Sequence, residues 1–190
     1  DTQYNININT AFVNAGLITL DKKGGVSEWK VNANSCDGST HIFLHDPNDK
    51  VTRTIVENIL YALKAKSGAG IEEVFNRGQA RDMGLDGNFD YILEGQKGYY
   101  FTNKYEGELI TPITSEQAEK GERYLAVHGY LPDKQGNQTF LVACGPGIKE
   151  GTVISSGNLV DIGPTIGEML GIHMKNTDGR VMKEIFTVGD

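Results

Sequence analysis

The fold class follows from one stretch, VTRTIVENILYALK at residues 51–64. Its apolar residues recur at three- and four-residue intervals, which predicts an amphipathic helix. A compact apolar run, Thr40–Leu44, precedes the helix and is typical of a strand. Pro47 with Asn48 and Asp49 ends this strand and offers an N-cap to the helix. Ile71–Phe75 follows as a second strand. The order strand, helix, strand is typical of an α/β protein.

Alternating helix and strand patterns continue on both sides of this unit, and 190 residues suffice for one well-packed domain. We therefore expect a single α/β domain spanning residues 1–190, with a mixed sheet, flanking helices and short antiparallel excursions. The polar stretch from Tyr105 to Arg123 shows no sustained period and predicts either an ordered excursion or a flexible loop that leads up to His128. The other predicted helices are Ile8–Ala15, Gly78–Met83 and Asp161–Leu170, and the other predicted strands are Leu17–Leu20 and Val26–Val31, as an antiparallel pair, then Tyr91–Glu94, Tyr99–Thr102 and Phe140–Cys144.

Charge and hydropathy narrow the choice of partners. The formal net charge is −7, and a phosphate backbone binds clustered Lys and Arg, so a nucleic-acid polymer is not an expected partner. No apolar run approaches the roughly 20 residues that cross a bilayer. The sequence therefore indicates an ordinary globular protein without a membrane segment.

The most specific motifs lie in the C-terminal third. His128-Gly129-Tyr130 is followed by the apolar run at Phe140, by the loop Gly145-Pro146-Gly147-Ile148-Lys149 and by Val160-Asp161-Ile162-Gly163-Pro164-Thr165. In this order they resemble the C-terminal part of the alkaline phosphatase superfamily, in its type I phosphodiesterase/nucleotide pyrophosphatase branch.

The resemblance implies a hydrolase of phosphoric esters or anhydrides that uses two divalent metal ions, usually zinc, and acts on phosphodiesters, pyrophosphates or nucleotides. It also implies that His128 binds one metal ion and that the location is extracytoplasmic. The family's nucleophile, aspartate ligands and Asp-His-Gly motif lie earlier in such chains and do not occur here. We therefore expect the C-terminal part of a larger metallohydrolase, completed by an N-terminal remainder, with at most one incomplete metal site and no activity alone.

Other interpretations stand beside these. His128 could be a hydrogen-bonded structural residue, and Tyr130 could either stack on a nucleobase as a substrate-binding residue or simply pack. A non-catalytic binding or interaction module that kept the same fold is the alternative to an enzyme. Asp161, at the start of a predicted helix, is interpreted as a capping or first-turn residue rather than a metal ligand.

The remaining histidines and the cysteines give weaker signals. His41 and His45 lie on a predicted strand, where their side chains would stand about 13 Å apart at about 3.3 Å per residue, which argues against a shared metal ion. Cys144, within an apolar run, is expected to be a small buried residue. Cys36 and Cys144 are far apart in the sequence and match no zinc or redox spacing, and the sequence leaves open whether they form a disulfide.

Overall fold

The computed structural model describes residues 2–121, 124, 126–134 and 136–187. The chain is a mixed α/β protein with several sheets and flanking helices, which confirms the predicted class at that level, and it divides into two compact units, residues 1–137 and 138–190. The expectation of one domain stays a prediction. The strands are β1 Tyr4–Ile6, β2 Ile18–Leu20, β3 Val26–Trp29, β4 Val31–Cys36, β5 Ser39–Leu44, β6 Ile71–Asn76, β7 Tyr91–Gly95, β8 Tyr99–Phe101 and β9 Ile110–Pro112; the helices are α1 Ile8–Asn14, α2 Lys50–Ala65, α3 Arg77–Asp82, α4 Ser115–Glu119 and α5 Ile162–Met169.

The main sheet of the first unit has the strand order β4-β5-β7-β6 and is antiparallel throughout. Helix α2 packs on it through Val56 and Leu60, both fully buried. These two residues belong to the apolar stripe that predicted the helix, and the strands on either side of it are also where the sequence placed them. Leu93, in the middle of β7, is likewise fully buried. Part of the core therefore lies between α2 and this sheet, and the same cluster continues to Ile8 and Phe12 of α1.

The beginning of α2 is fixed by Asp49, whose carboxylate accepts hydrogen bonds from the backbone N–H of Val51 and Thr52, each at 3.0 Å. Those amides have no partner inside the helix, and an N-cap side chain of this kind stabilises a helix by about 1 kcal/mol. The predicted cap is confirmed. The hydrogen bond from the Thr52 hydroxyl, followed by the two backbone bonds, lowers the pKa of Asp49.

A second, three-stranded sheet has the order β8-β1-β9, with β1 parallel to β8 and antiparallel to β9. The sequence analysis missed β1 and β9. Between the two alternatives for the stretch from Tyr105 onward, the structure fits the ordered excursion, since β9 and α4 both lie in it. Its last residue, Arg123, lies outside the described residues. A three-residue strand leaves too short a pattern for periodicity to detect.

The predicted antiparallel pair near the N-terminus exists as β2 and β3. The second strand stops at Trp29, and Val31 begins the separate strand β4. Strand β4 has the sequence VNANSC, whose polar residues disguise an alternation that buries Val31 and Ala33. Its two-residue connection to β5 is Asp37-Gly38, and Cys36 pairs with Ser39 across it.

The second unit contains α5, flanked by short 3₁₀ helices at Leu159–Asp161 and Lys183–Ile185. The predicted strand Phe140–Cys144 is wrong, because these residues have no regular secondary structure and Phe140 is 91% exposed. Cys144 is also exposed, which corrects the expectation of a buried residue. Both cysteines are free thiols. Among the described residues no helix is long and apolar enough to cross a membrane.

Candidate functional site

His128 lies in an irregular segment that runs against the β4–β5 turn of the first unit. Its backbone carbonyl accepts a hydrogen bond from the N–H of Gly38 at 2.8 Å. Its imidazole is 86% exposed. The backbone of His128 is thus held by the turn while the ring remains accessible to a ligand.

Gly129 explains how the segment comes so close to the turn. Its φ is +81°, a conformation that glycine adopts at little cost. A Cβ at this position would overlap the carbonyl oxygen of Cys36. Only glycine therefore fits, and the backbone at residue 129 rests directly on the end of β4.

Asp37 is the residue at this site that the sequence analysis missed. It has a φ of +63°, unusual for a residue with a side chain, and its carboxylate Oδ2 lies 3.4 Å from His128 Nε2. Strained conformations of this kind cost on the order of 1 to 3 kcal/mol and are concentrated at functional sites. The dipeptide Asp37-Gly38 is itself a hairpin signal, but only the fold brings it to His128, 91 positions along the chain.

The side chain of Tyr130, two residues after His128, is fixed by contacts with Gly38 and Tyr99. Its ring lies against Gly38, where a Cβ would collide with the ring carbons. Its hydroxyl donates a hydrogen bond to the carbonyl of Tyr99 at 2.6 Å. Burial, followed by the charges of Glu94 and Asp37, raises its pKa. These contacts give Tyr130 a packing role, and its predicted substrate-binding role stays a prediction.

Lys134 and Glu94 anchor the end of the segment. Glu94 is 1% exposed, and its Oε1 lies 2.8 Å from Lys134 Nζ and 3.0 Å from the backbone N of Leu131. Lys134 also contacts Glu72 Oε2 at 2.9 Å and donates to the carbonyl of Gly95. Burial raises the pKa of Glu94, and the bonds from Lys134 and Leu131 partly oppose the shift. A buried carboxylate needs such partners, because desolvating an unpaired charge is costly.

A cavity of about 460 Å³ opens beside this anchor, within the size range of small-molecule sites. Two lysines, Lys97 and Lys134, line it together with backbone and apolar groups. Val127, which precedes His128, is part of it. Its lining includes Thr2, Glu72, Lys97, Val127, Tyr130 and Lys134.

Cys36 and His41 form a second polar pair at the end of the same hairpin, with Sγ 3.3 Å from Nδ1. Burial, and then the charge of Asp37, raises the pKa of the Cys36 thiol, while burial lowers the pKa of His41. Both shifts favour the neutral forms, whereas a nucleophilic cysteine must be a thiolate. This pair is not built as an activated nucleophile.

His41 and His45 have different surroundings, and their predicted separation of about 13 Å stays a prediction. His41 is within β5, beside Phe89 at a ring distance of 5.1 Å. His45 follows the strand and meets the ring of Trp29 edge-on at 4.9 Å. Each has its own aromatic neighbour.

The described residues fit a metal ion only in part. Two ligands of a tetrahedral zinc ion with bonds of about 2.1 Å stand about 3.4 Å apart, and His128 and Asp37 show that spacing. Within the described ranges, no group of three or more His, Cys, Asp and Glu side chains is arranged to hold a metal ion. A zinc site needs three or more protein ligands, so this pair does not complete one and we derive no catalytic step through a metal.

The motif residues of the second unit act structurally. The Gly145 carbonyl accepts from the N–H of Ile148 at 3.1 Å, which closes the Gly-Pro-Gly turn. Asp161 does not cap α5 with its side chain. Its two carboxylate oxygens instead accept from the backbone N–H of Asn158 at 3.1 Å and of Arg180 at 2.9 Å, and these bonds lower its pKa. The first-turn interpretation fits the bond to Asn158, and the bond to Arg180 was not foreseen.

Comparison with known proteins adds no relative. No protein-family model, no curated protein and no solved structure matches this chain.

Proposed function

We propose that this chain is the C-terminal part of a metal-dependent phosphohydrolase, to which it contributes His128 as one metal ligand. The parent would be a hydrolase of the type I phosphodiesterase/nucleotide pyrophosphatase branch of the alkaline phosphatase superfamily. Two divalent metal ions, in that family usually zinc, would be held mainly by residues of the N-terminal remainder. The metal ions would supply Lewis-acid stabilisation of the phosphoryl oxygens.

The observation that carries the proposal is the arrangement around His128. A structural histidine is normally buried and hydrogen-bonded, whereas this imidazole is 86% exposed although its backbone is fixed by Gly38 and Gly129. Asp37 places a carboxylate beside it at the spacing of two zinc ligands. An accessible imidazole on a fixed backbone is suited to completing a site whose other ligands come from elsewhere.

The substrate class follows from the resemblance alone. Phosphodiesters, pyrophosphates and nucleotides are the proposed substrates, and an extracytoplasmic location is proposed on the same basis. The acidic charge is compatible with an anionic substrate, because the metal ions would supply the positive charge.

Zinc binding by the purified chain tests the role of His128. We expect weak binding that His128→Ala abolishes, that Asp37→Asn weakens about tenfold or more, and that the control His173→Ala leaves unchanged. Isothermal titration calorimetry with zinc chloride gives the affinities. Binding that survives His128→Ala unchanged would contradict the proposal.

Activity tests the incompleteness of the site. We expect no turnover of a chromogenic aryl phosphodiester by this chain with or without zinc, because one imidazole and one carboxylate do not make a zinc site. Turnover that His128→Ala abolishes would show that the chain holds a complete site after all.

A non-catalytic binding module is the second candidate, and the cavity beside Tyr130 and Lys134 favours it. It differs from the first in needing no metal ion. Saturable binding of a nucleoside monophosphate in the presence of a chelator, lost in Lys97→Ala and unaffected by His128→Ala, would support the module over the enzyme.

A further inference from the structure

The chain contains three Asp-Gly dipeptides, Asp37-Gly38, Asp86-Gly87 and Asp178-Gly179. The two residues of such a pair can react with each other, because the glycine nitrogen can attack the preceding carboxyl carbon and glycine has no Cβ to obstruct the approach. The reaction requires a carboxyl group close to the amide and a peptide group that is free to rotate. The structure gives the three pairs different surroundings, so they should differ in how fast they react.

Asp86-Gly87 meets both requirements. The pair lies in the connection between α3 and β7, where residues 85–89 have no regular secondary structure. The N–H of Gly87 donates to Oδ1 of Asp86 at 3.0 Å, so the carboxyl group stands beside the amide that would attack it. The Asp86 side chain is 76% exposed, and its contact with Arg81 at 3.9 Å joins two exposed side chains and holds it only weakly. The carboxyl group is therefore close to the amide and can turn toward it.

Asp37-Gly38, at the candidate site, is held on both sides of the same peptide group. The carbonyl of Asp37 accepts a hydrogen bond from the N–H of Phe101 at 2.7 Å, and the N–H of Gly38 donates to the carbonyl of His128 at 2.8 Å. Both bonds must open before this peptide group can rotate toward the carboxyl carbon. The fold therefore protects the Asp-Gly pair beside His128.

Asp178-Gly179 has intermediate surroundings. Asp178 is exposed, but the carbonyl of Gly179 accepts a hydrogen bond from the Thr177 hydroxyl at 3.0 Å. A Cβ at position 179 would overlap the carbonyl of Val160, so the backbone of Gly179 is packed directly against that group. Close packing of this kind restricts the rotation that the reaction requires.

We propose that Asp86-Gly87 is a site of spontaneous modification, at which aspartate isomerises to isoaspartate. The Gly87 nitrogen forms a bond to Cγ of Asp86, and the amide proton and the carboxyl hydroxyl leave together as water. The resulting succinimide then takes up water at either of its carbonyl carbons. Opening at Cγ restores aspartate, whereas opening at the backbone carbonyl leaves the chain running through the side chain, with an added methylene in the backbone. The sequence of steps needs no reactant other than water.

The product identifies the kind of partner that this site fits. Isoaspartate carries a free α-carboxylate, which is the group that isoaspartyl carboxyl methyltransferases methylate with S-adenosylmethionine. Asp86 lies on an exposed connection, where such an enzyme can reach the backbone. The aged chain is therefore a substrate for that class of repair enzyme, and this property does not depend on the proposed metal site.

Ageing of the purified chain in neutral buffer tests the proposal, with isoaspartate measured at each site by mass spectrometry with electron-based fragmentation. We expect isoaspartate to form about 30-fold faster at Asp86 than at Asp37, because two backbone hydrogen bonds must open at Asp37 first. In the urea-unfolded chain the three sites should react at similar rates. Faster formation at Asp37 or Asp178 than at Asp86 in the folded chain would overturn the proposal, and so would a preference for Asp86 that persists undiminished in urea.

A conservative variant links the repair enzyme to this one site. Asp86→Glu keeps the negative charge, but its carboxyl group would have to close a larger ring, which forms far more slowly. The aged variant should lose most of the methyl groups that an isoaspartyl methyltransferase transfers from labelled S-adenosylmethionine. Asp178→Glu, at an exposed position in the second unit, is the matched control and should keep most of them. Equal methylation of the aged Asp86→Glu variant and the unmodified chain would refute the assignment to Asp86.

Discussion

The two units of this chain differ in how far their large apolar side chains are buried. Residues 2–137 bury a continuous core in which Ile42, Leu60 and Leu93 are inaccessible to solvent. In residues 138–187 the most buried side chains include the polar Asp161 and Thr165, while Phe140 and Leu170 are exposed. The first unit contains a core of its own, whereas the second exposes many of its large apolar side chains.

This difference predicts where a mutation costs stability. Truncating a buried side chain removes its apolar contacts and leaves a cavity, whereas truncating an exposed side chain removes few contacts. Trp29, the only tryptophan, lies in the first unit and reports on its unfolding.

The largest effect is expected for Leu93→Ala. Leu93 is fully buried in β7, so its truncation should lower the free energy of unfolding by about 4 kcal/mol. The control Leu159→Ala removes a side chain that is 66% exposed and should change it by no more than about 0.5 kcal/mol. Urea denaturation of both variants gives the difference. Equal losses would contradict the contrast between the units.

Lys134→Ala should have the next largest effect, because it leaves the buried carboxylate of Glu94 without its cation. Allowing for the partial exposure of Lys134, we expect a loss of about 2 to 4 kcal/mol near neutral pH. Lys97→Ala, in the same cavity but exposed, is the control and should be nearly neutral. Urea denaturation measures both.

The pH dependence of that loss has a definite sign. The pKa of Glu94 is raised in the folded protein, so its ionised form is disfavoured there, and its contribution to stability falls as the pH rises from the unfolded to the folded pKa. Below that window Glu94 is neutral and needs no counter-ion. The cost of Lys134→Ala should therefore shrink in acid, and a constant cost at all pH values would rule out the ion pair as its cause.

The smallest effect is expected for Asp161→Asn in the second unit. Its carboxylate binds the backbone amides of Asn158 and Arg180, which lowers its pKa. A depressed pKa stabilises the fold above the unfolded value, and this stabilisation is lost as the pH falls through the folded pKa. The variant should exchange its amide hydrogens faster at residues 158–180, and acidification should reduce their protection less than in the unmodified chain. The unfolding of the first unit, as reported by Trp29, should not change. Asp178→Asn, at an exposed position, is the control.

Local pattern was sufficient for much of the fold. The stripe of α2 and the Asp49 cap are properties of consecutive residues, and so is the β2–β3 hairpin with its glycines, so all three could be predicted. Strand β4 escaped because asparagines occupy it, and β9 because three residues show no period. The run at Phe140 was wrongly predicted as a strand. Its apolar pattern is strong, but a strand also needs neighbouring strands to pair with, and the local sequence does not show whether they are present.

The residues of the candidate site also differ in whether a local pattern could reveal them. His128 could be singled out from the short motif around it, whereas Asp37 gains meaning only from a contact made across the fold. Glu94 could not be found either, because nothing in the sequence of β7 shows that Lys134 will reach it. Such long-range pairs depend on the register of the sheet and on the path of residues 126–137.

The closeness of Gly129 to Cys36 also has a genetic consequence. Every missense change in a glycine codon adds a Cβ, and at position 129 any Cβ would overlap the carbonyl oxygen of Cys36. Gly136, whose φ is also positive but which has open space around it, would tolerate alanine with only the conformational cost. A collection of random functional variants should therefore contain substitutions at codon 136 and none at codon 129. The lack of space for a Cβ thus limits which alleles are tolerated beside the candidate ligand.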